Sequence, residues 1–585
     1  MSLFDKDEIS KATKLKKFKL DVLTTPLMKL LKLDKLNQMY DNLGDLKDLD
    51  FINAVLDQLE IKCVVDEKEL NNIPKEGSFI VLANHPYGGI DGLILMKLLV
   101  SIRPDFKTMG NYLLQKIKPI EHLIIPVNPF DNVQVNKSSL AGIKKTLEYL
   151  QNGTPIGIFP AGEVSSFQTD SKQVMDREWK PAIGRIILKA QVPVIPVYFS
   201  GGNSKLFNIL GMIHPVFRTI RIPTELINKK GSEIRVRIGK PICPKTYNEF
   251  SEPQQLLRFL RSKTYALGSP LESEVKNFFR VPFLPKKEAE EIIPPVPVEL
   301  LEKDIEKLKN TNNHLVVQDD YDVFVAPINL IPNIITEIGR LREVTFREVG
   351  EGTNKSYDLD EFDLYYHHLF IWDRVNKKIV GAYRIGKGNN IYRKFRKKGF
   401  YINTLFKIKN GFVPYLKRSL ELGRSFIVKE YQQKPFSLFL LWKGILTYLR
   451  RNTYYKYLIG PVSISNSYSE TSKALMVEFL RQHYFDRKLS KFIEPRKAFE
   501  YDTSKVDMNV LLKSRKKDLK SLDELISEIE PAGFKVPVLL KKYIKQEAKL
   551  LGFNVDPKFS NALDGFMIMD FTNVPDDTIK MLDKN

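Results

Sequence analysis

One histidine and one aspartate stand where an apolar strand gives way to a helix, in the segment VLANHPYGGIDGLILMKL. The apolar run ends at Asn84 and His85, a turn with Gly88 and Gly89 follows, and Asp91 opens the helix as an N-cap residue would. An imidazole at the carboxyl end of a strand can remove a proton from a hydroxyl near neutral pH. Asp91 is placed to hold the other ring nitrogen and fix the tautomer. The pair predicts general-base chemistry, although a structural histidine beside a capping aspartate has the same spacing.

The sequence contains no recognisable motif for an acyl-enzyme nucleophile. No serine or cysteine stands in a nucleophile-elbow context, so the sequence favours direct acyl transfer over an acyl-enzyme. Only two cysteines occur, Cys63 and Cys243, which excludes a disulfide framework and a Cys-type zinc site.

The elements around His85 alternate between short apolar runs and helical patterns from residue 78 to residue 250. The runs are SFIVLAN, HLIIPVN, PIGIFPAG and VPVIPVYFSG, and the helical segments are DGLILMKLLVSIR and SSLAGIKKTLEYLQNG. This alternation is typical of an α/β sheet flanked by helices. Open α/β sheets place their active sites at the carboxyl ends of their strands, which is where His85 stands.

Three further blocks follow in order: IIPVNPFDN (124–132), FPAGEVSSF (159–167) and VPVIPVYFSGGN (192–203). With the His85 segment they resemble the glycerolipid acyltransferases of the lysophosphatidate acyltransferase type, over roughly residues 60–260. In that family a His and an Asp act on an acceptor hydroxyl while a thioester supplies the acyl chain. The resemblance implies catalytic roles for His85 and Asp91, and substrate contacts from Asn84, Gly89, Phe159, Pro160, Gly162 and Glu163.

Departures from the family pattern bear on the acceptor. The usual His-x4-Asp is His-x5-Asp here, and glycines in the turn can absorb the extra residue. The third block has Glu163 one place late and Val164-Ser165 in place of Thr-Arg, while the second block ends in Asn132 in place of Arg. Arginine suits a phosphate because it binds bidentately, so these losses predict an acceptor without glycerol phosphate. Alternatively, a cation of the following helix substitutes: Arg177, Lys180 or Arg185.

The second half of the chain alternates similarly. IPNIITEIGRLREVTFREVG and PFSLFLLWKGILTYLRR are predicted helices, and HHLFIWD, KKIVGAYRIG and SLELGRSFIV are predicted strands. A lone charge beside a strand is usually a solvated residue or a surface ion pair. Here Arg384 and the Glu421–Arg424 pair interrupt otherwise apolar strands, which indicates a second site.

This half resembles the acyl-homoserine-lactone synthases and the N-acyltransferases of ornithine-lipid synthesis, which have a GNAT-like fold, over about residues 315–485. The resemblance implies catalysis by Glu421 of a Glu-x-x-Arg motif, with substrate-binding roles for Arg347, Glu361, Asp363, Arg384 and Arg424. The pyrophosphate loop of coenzyme-A-using GNAT enzymes is missing from the sequence. That favours acyl carrier protein as donor, whose acidic surface suits a basic enzyme. We expect no metal and no cofactor beyond acyl-ACP or acyl-CoA as co-substrate.

Charge and composition limit the partners. The net charge is +21, which favours an anionic partner, and no zinc-finger or helix-turn-helix pattern supports nucleic acid. We therefore expect acyl carrier protein and an anionic membrane surface. No window reaches the ~18 apolar residues of a membrane span, and the N-terminus does not resemble a signal peptide. The expected location is peripheral, on the cytoplasmic face of a bacterial inner membrane.

The predicted organisation has four parts: a basic amphipathic region (1–60), an O-acyltransferase-like α/β domain (61–280), a proline-rich linker (281–300) and a GNAT-like α/β domain (301–585). Together they resemble the bifunctional ornithine-lipid synthases of bacteria. The C-terminal half would acylate the amine of an amino acid with a 3-hydroxyacyl group, and the N-terminal half would acylate the hydroxyl of that lyso-aminolipid. The amino acid stays open: ornithine, glycine, lysine or serine-glycine. Two alternatives remain, a glycerophospholipid acyltransferase with a non-catalytic C-terminal domain, and a non-enzymatic membrane-binding or lytic protein.

Overall fold

The computed structural model describes Leu3 and residues 24–43, 45–127, 137–213, 215–279, 289–432, 434–513, 517–531 and 533–573. Three predictions fall partly outside the described residues: the start of the basic N-terminal helix, the end of the second block with Asn132, and the first part of the linker. The chain divides into two compact units. Unit 1 comprises Met1–Arg280, Asp502–Lys516 and Glu524–Gly533, and unit 2 comprises Val281–Tyr501, Lys517–Asp523 and Phe534–Asn585.

The strands of unit 1 are β1 (Lys62–Val65), β2 (Ile80–Ala83), β3 (Lys107–Asn111), β4 (Ile124–Val127), β5 (Ile156–Ile158), β6 (Ser166–Gln168), β7 (Gln173–Met175), β8 (Val194–Phe199) and β9 (Glu233–Ile238). Seven form one sheet in the order β1-β9-β8-β2-β5-β3-β4, and β6 pairs with β7 in a separate hairpin. Every pairing in the large sheet is parallel except that between β8 and β9. The central strand β2 is buried along its whole length, as a parallel strand covered on both faces must be.

The first group of helices, up to residue 279, is α1 (Thr24–Leu30), α2 (Leu33–Leu43), α3 (Asp48–Gln58), α4 (Glu67–Leu70), α5 (Gly89–Val100), α6 (Lys137–Gln151), α7 (Pro181–Ala190), α8 (Lys205–Ile213), α9 (Pro215–Asn228), α10 (Pro244–Tyr247) and α11 (Pro253–Phe279). Helix α5 follows β2 in the chain, and its apolar residues join the main core of this unit.

Two segments from the C-terminal part of the chain pack on unit 1. The Asp507 backbone N–H donates to Ser262 Oγ (3.0 Å), and Lys505 Nζ donates to Glu272 (2.7 Å). The Arg237 guanidinium donates to the Ile529 carbonyl (3.1 Å). A single division of the sequence at the proline-rich linker therefore does not describe how these segments pack.

The strands of unit 2 are β10 (His314–Gln318), β11 (Tyr321–Pro327), β12 (His367–Asp373), β13 (Lys378–Lys387), β14 (Phe406–Ile408), β15 (Ser419–Ile427), β16 (Tyr457–Ile464), β17 (Ile493–Pro495), β18 (Lys549–Asp556) and β19 (Ala562–Asp570). Eight form a sheet in the order β10-β11-β12-β13-β15-β16-β19-β18, and β14 pairs with β17. Neighbours are antiparallel except β15 and β16, which pair in parallel from Ser419 to Glu421. That parallel pairing stops at Glu421, in the middle of the sheet.

The later helices are α12 (Val298–Leu308), α13 (Pro332–Glu348), α14 (Gly388–Phe395), α15 (Ile402–Leu405), α16 (Val413–Lys417), α17 (Lys429–Gln432), α18 (Pro435–Arg451), α19 (Glu470–His483), α20 (Met508–Lys513), α21 (Leu519–Ile529) and α22 (Val538–Lys545). The predicted α/β fold class is confirmed in both halves of the chain. Within the described ranges, no helix combines the length and apolarity that crossing a bilayer requires.

Candidate active sites

The first site lies where the parallel strands β2, β5 and β8 end together. Asn84 follows β2, and its side-chain amide bonds twice to the backbone of Phe199 at the end of β8. The amide nitrogen donates to the Phe199 carbonyl (2.9 Å), and the amide oxygen accepts from the Phe199 N–H (2.7 Å). Both polar ends of this buried side chain are thereby engaged. Asn84 fixes the position of His85 by tying two strands together, and the prediction that it contacts substrate has no support in this geometry.

The His85–Asp91 pair is formed. The His85 Nδ1 atom lies 3.1 Å from Asp91 Oδ2, with the imidazole 18% exposed and the carboxylate fully buried. Asp91 is the third residue of α5, which begins at Gly89, so its prediction as the N-cap residue is wrong. Its carboxylate instead accepts the Tyr87 N–H (2.9 Å) and the Gly88 N–H (3.3 Å). Gly88 has φ of +95°, a conformation that glycine adopts easily, and this accommodates the extra residue of the motif.

The environment of His85 suits a proton acceptor. Burial alone lowers the pKa of the imidazole, but the charge and hydrogen bond of Asp91 and the charge of Asp176 outweigh burial, so the net pKa is raised above the usual 6.5. The Phe159 ring, which follows β5, stacks on the imidazole at a centroid distance of 4.1 Å. Because Asp91 holds Nδ1, Nε2 is the ring atom left to accept a proton.

A second buried carboxylate, Asp176, supports the site and was not predicted. It accepts the backbone N–H of His85 (3.1 Å), the hydroxyl of Ser165 (2.5 Å) and the indole N–H of Trp179 (3.0 Å). Ser165 also donates its backbone N–H to the His85 carbonyl (2.8 Å) and is 3% exposed. The third block therefore holds the backbone of His85 in place. Ser165 is not an open position facing an acceptor, so an arginine introduced there would be buried against Asp176. Nothing in the local sequence VMDREW distinguishes Asp176 from a surface charge.

The remaining residues of the third block form a turn beside this carboxylate. The Pro160 carbonyl accepts the Lys180 N–H (3.0 Å), and Glu163 lies 3.5 Å from Arg177 in a half-exposed ion pair. Gly162 has φ of +70°, and a Cβ there would lie 2.8 Å from Lys180 Nζ. Lys180 thus runs along the turn, while Arg185 is exposed on α7. Of the three cations that could replace the family's arginines, Lys180 is the one whose side chain runs along the third block's backbone.

Replacing Asp91 by asparagine tests how the pair works. The amide can still accept from the Tyr87 backbone, but it no longer supplies the charge that raises the pKa of His85. We expect the rate of hydroxyl acylation to fall at least ~10-fold, because a neutral amide stabilises the protonated imidazole less than the carboxylate does. Since burial alone lowers the His85 pKa, the acid limb of kcat/KM should move to lower pH than in the wild type. An acid limb that stays in place would show that His85 is not the titrating base. The exposed Asp170 supplies the matched control, Asp170→Asn.

The second site is a buried charge cluster in unit 2. It joins three arginines from three elements, Arg342 on α13, Arg384 on β13 and Arg424 on β15, to Asp358, Asp360 and Asp363. Arg342 Nη1 donates to Asp363 (2.8 Å), and Arg384 Nη1 donates to Asp360 (2.5 Å). Arg424 lies 3.4 Å from Asp358 and 3.6 Å from Asp360. Burial alone raises the pKa of Asp363, but Arg342 and Arg384 outweigh it and hold that pKa well below its usual range.

This cluster keeps unfilled hydrogen-bonding capacity. In Arg342 and Arg384 alike, the Nε and Nη2 atoms are buried and find no hydrogen-bond partner among the described residues. The Nε–Nη2 edge of a guanidinium is one of those that bind a carboxylate through two parallel bonds. The rings of Phe362, Tyr366 and Tyr401 lie 5.2–5.5 Å from the Arg384 guanidinium and hold it in place.

Glu421 lies at the point where β15 and β16 stop pairing. It accepts the backbone N–H groups of Ile402 (2.6 Å) and Tyr401 (3.2 Å) and the hydroxyl of Tyr366. Burial raises its pKa to about 7, against the opposing effect of these donors and of Arg384. A carboxyl that titrates near neutral pH can take a proton from an amine nucleophile.

The backbone next to Glu421 is strained. Between Gly423 and Phe426, β15 carries one residue more than its partner β13, which is a β-bulge. Arg424 sits in this bulge with φ of +50°, a left-handed conformation that non-glycine residues rarely adopt. Strain of this kind accompanies functional sites when surrounding contacts maintain it, and here Asp358, Tyr401 and Phe559 contact the guanidinium.

Two predicted members lie outside the cluster. The Arg347 guanidinium donates to Glu343 (2.9 Å) and to the carbonyls of Glu290 and Lys355, so it fastens neighbouring loops. Glu361 is exposed at the start of a short 3-10 helix. In the cluster, Arg342 stands in the place expected of the early arginine, five residues before Arg347 on α13. Asp360 and Asp358 stand in the place expected of the acidic partner. The sequence did contain a signal that Arg342 points inward. Helical periodicity places Arg342 on the same face of α13 as the buried Ile335 and Ile338.

A further carboxyl, Asp564 on β19, lies near this cluster and was not predicted. It faces Ser463 across the strands and accepts its hydroxyl (2.6 Å). Burial raises its pKa to about 7, assisted by the charges of Asp556 and Glu351 and opposed by Arg424. Among the residues of unit 2 that the structure describes, burial thus raises the pKa of both Glu421 and Asp564 to about 7. Across the described ranges, no grouping of His, Cys, Asp and Glu could hold a metal ion.

Known families match both parts of the chain. Residues 6–274 match the family described as Acyltransferase, and residues 341–443 match the family described as Acetyltransferase (GNAT) domain. The fold and the two sites thus define an acyltransferase enzyme with an N-terminal acyltransferase domain and a C-terminal GNAT domain.

Individual relatives show which acyltransferases this chain is similar to. A glycine N(alpha)-acyltransferase of Phocaeicola vulgatus is 32% identical over 273 residues, which cover 44% of this chain and 80% of that protein. The chain belongs to the acyltransferase family that includes this enzyme. A lyso-glycine lipid O-acyltransferase of Bacteroides thetaiotaomicron is 28% identical over 274 residues, covering 45% of this chain and 97% of that protein. The crystal structure of a 1-acyl-sn-glycerophosphate acyltransferase from Thermotoga maritima is 18% identical and covers 41% of this chain and 87% of that one, at a TM-score of 0.24, too low to bear on the fold.

Proposed function

We propose that this chain performs two successive acylations that make a di-acylated amino-acid lipid. Unit 2 N-acylates an amino acid with a 3-hydroxyacyl group, and unit 1 O-acylates the hydroxyl of that product. The observation that carries the proposal is the presence in one chain of the His85–Asp91 pair and of a buried carboxyl, Glu421, beside an arginine cluster. Relatives named as an N-acyltransferase and as an O-acyltransferase each cover less than half of the chain, which supports two activities.

For the first acylation, the acceptor is an α-amino acid. Its carboxylate would bind the free Nε–Nη2 edge of a buried arginine. Arg384 is the arginine that contacts the Tyr366 ring, and the Tyr366 hydroxyl donates to Glu421. Its amine nitrogen attacks the thioester carbonyl carbon, forming the C–N bond as the C–S bond breaks. Glu421 takes the amine proton, and the departing thiolate is protonated to the free thiol. Because the pKa of Glu421 is about 7, this step should slow as the pH falls below neutrality.

For the second acylation, the 3-hydroxyl of the lyso-aminolipid attacks a second thioester. His85 Nε2 takes the hydroxyl proton, the C–O bond forms as the C–S bond breaks, and the imidazolium then gives that proton to the departing thiolate. Asp91 holds the imidazole and stabilises its protonated form. The donor is acyl carrier protein or coenzyme A thioester, and the surplus of positive charge supports the acidic carrier protein.

The names of the relatives make glycine the first amino acid to test, with ornithine as the alternative. Expression in a host that lacks aminolipids, followed by mass spectrometry of the lipids, identifies the amino acid directly. Glycine-containing lipid would support the proposal in its narrower form. Ornithine-containing lipid would keep the reaction order and change the acceptor. A host without any new aminolipid, containing soluble full-length protein and both donors, would contradict the proposal.

Acceptor preference gives a second test. Arginine suits a phosphate monoester because it binds bidentately, whereas Val164 and Ser165 are buried where the family has its third-block arginine. We expect at least ~10-fold higher kcat/KM on lyso-aminolipid than on lysophosphatidate, or about 1.4 kcal/mol of discrimination. Lys180, whose side chain runs along the third-block turn, is the feature that favours lysophosphatidate instead. If lysophosphatidate is the better acceptor and Lys180→Met abolishes that activity, the chain is a glycerophospholipid acyltransferase.

A further inference from the structure

An unpartnered apolar face stands on helix α8 of unit 1. Leu206, Ile209 and Met212 recur every third residue and therefore share one side of the helix, and they are 49%, 50% and 53% exposed. The opposite side carries Phe207 and Asn208, which are buried against the unit. We call the three exposed residues the apolar stripe.

The stripe is rigidly connected to the His85 site. Two residues before α8 begins, Asn203 donates its amide to the Tyr87 carbonyl (3.2 Å), which lies between His85 and Asp91 in the sequence. From within α8, Asn208 accepts the N–H of Phe167 (3.1 Å), two residues after the Ser165 that bonds to the His85 backbone. One contact from α8 and one from the segment just before it thus link this helix to the backbone near His85.

Exposed cations border the stripe, together with one exposed carboxylate, Asp170, at the turn of the β6–β7 hairpin. Lys205 is exposed at the start of α8. The β6–β7 hairpin adds Val174, 37% exposed, whose Cγ1 would lie 3.9 Å from a Cβ on Gly202, and the exposed Lys172 precedes it in the same hairpin. Arg177 follows with its side chain 52% exposed and paired with Glu163. Apolar side chains bordered by cations, on a chain of net charge +21, are complementary to an anionic bilayer, whose surface attracts Lys and Arg and whose acyl region accepts apolar residues.

We propose that the apolar stripe inserts into the interface of an anionic membrane and places the His85 site at the headgroup level. The inference rests on the proposed function, because only a lipid acceptor gives the enzyme a reason to hold His85 there. A lyso-aminolipid keeps its acyl chain in the bilayer, and its 3-hydroxyl lies near the surface. A site fixed to an inserted helix can therefore take the hydroxyl without extracting the whole molecule.

The test uses the full-length protein and vesicles of phosphatidylcholine with or without phosphatidylglycerol. The stripe variant is Leu206→Glu/Ile209→Glu/Met212→Glu. The matched control places the same three glutamates at scattered exposed valines of unit 2, as Val317→Glu/Val375→Glu/Val538→Glu, where the residues are 60%, 67% and 63% exposed. Both variants change the net charge equally, so only the position of the glutamates differs. Flotation measures binding without any need for activity.

The wild type and the control should float with the anionic vesicles, and the stripe variant should bind at least ~10-fold more weakly. On a lyso-aminolipid embedded in vesicles, the stripe variant should lose activity by a similar factor. On a short-chain acceptor that is soluble in water it should keep wild-type activity, which shows that the His85 site is intact. If the wild type acylates neither acceptor, the proposed function fails, while flotation still decides on the stripe.

Three outcomes would overturn the inference. A wild type that does not float with anionic vesicles has no such surface. A stripe variant that floats as well as the wild type assigns membrane binding to another part of the chain, such as the basic N-terminal segment. A stripe variant that changes from dimer to monomer in light scattering, with flotation unchanged, assigns the stripe to a second copy of the chain.

Discussion

His85→Ala should abolish O-acylation and leave the mono-acylated amino acid accumulating. An imidazole base typically contributes ~10²–10⁴-fold to such a step, and no other described titratable group bonds to Asp91 to take its place. The substitution also removes the ring on which Phe159 stacks, so the loss should fall in the upper part of that range. Lipid mass spectrometry of cells, with kcat/KM on purified lyso-aminolipid, measures the effect.

The control for this variant is another histidine of unit 1. His122 Nε2 lies 2.7 Å from the Asp48 carboxylate at the surface, outside the site, so His122→Ala should leave both acylations unchanged. A His85→Ala enzyme that still makes di-acylated product at the wild-type rate would remove His85 from the mechanism. It would also revive the alternative that the chain acts on membranes without catalysis.

Glu421→Gln should block the first acylation, so that neither the mono-acylated nor the di-acylated product forms in cells. Glu421 accepts the Ile402 N–H at Oε1 and the Tyr401 N–H at Oε2, so the single amide oxygen of glutamine can keep one of these two bonds while the proton acceptor is lost. We expect a loss of ~10²-fold or more in N-acylation. Arg424→Ala should have a comparable effect, because it empties the strained bulge beside the cluster.

Supplying synthetic lyso-aminolipid to either variant should restore the di-acylated product, because unit 1 is unaltered. If the supplied substrate is not converted, the two activities are not independent. Glu430→Gln, an exposed glutamate paired with Lys378, is the matched control for the first variant.

Asp564→Asn distinguishes the two carboxyls whose pKa is about 7. If this variant loses N-acylation while Glu421→Gln retains it, Asp564 is the base and Glu421 a positioning residue. If only Glu421→Gln loses activity, the wild-type rate should fall below pH 7 as Glu421 becomes protonated. The residual activity of Glu421→Gln should not show this fall.

The order of motifs and elements was accessible from the sequence. The strands before His85, Phe159 and Gly201 are short apolar runs, and the helices between them have a clear period, so local physics fixes both. The family resemblance implied that His85 and Phe159 belong to one site. The carboxyl ends of parallel strands meet at one edge, and the two rings are stacked there. The strands that carry Arg384 and Glu421 were likewise predictable, because a charged residue inside an apolar strand is conspicuous.

The tertiary structure alone decided which charges come together. Asp176 and Asp564 look like surface residues in the sequence, and each, like Arg342, is contacted in the interior by a partner distant along the chain. Conversely, Arg347 matched the family pattern, yet it fastens loops at the surface. Residues 502–516 and 524–533 likewise belong to unit 1 because of contacts with residues that are distant along the chain. Periodicity is a property of neighbouring residues, whereas the pairing of a buried charge depends on contacts across tens or hundreds of residues, which only the folded chain brings within hydrogen-bond distance.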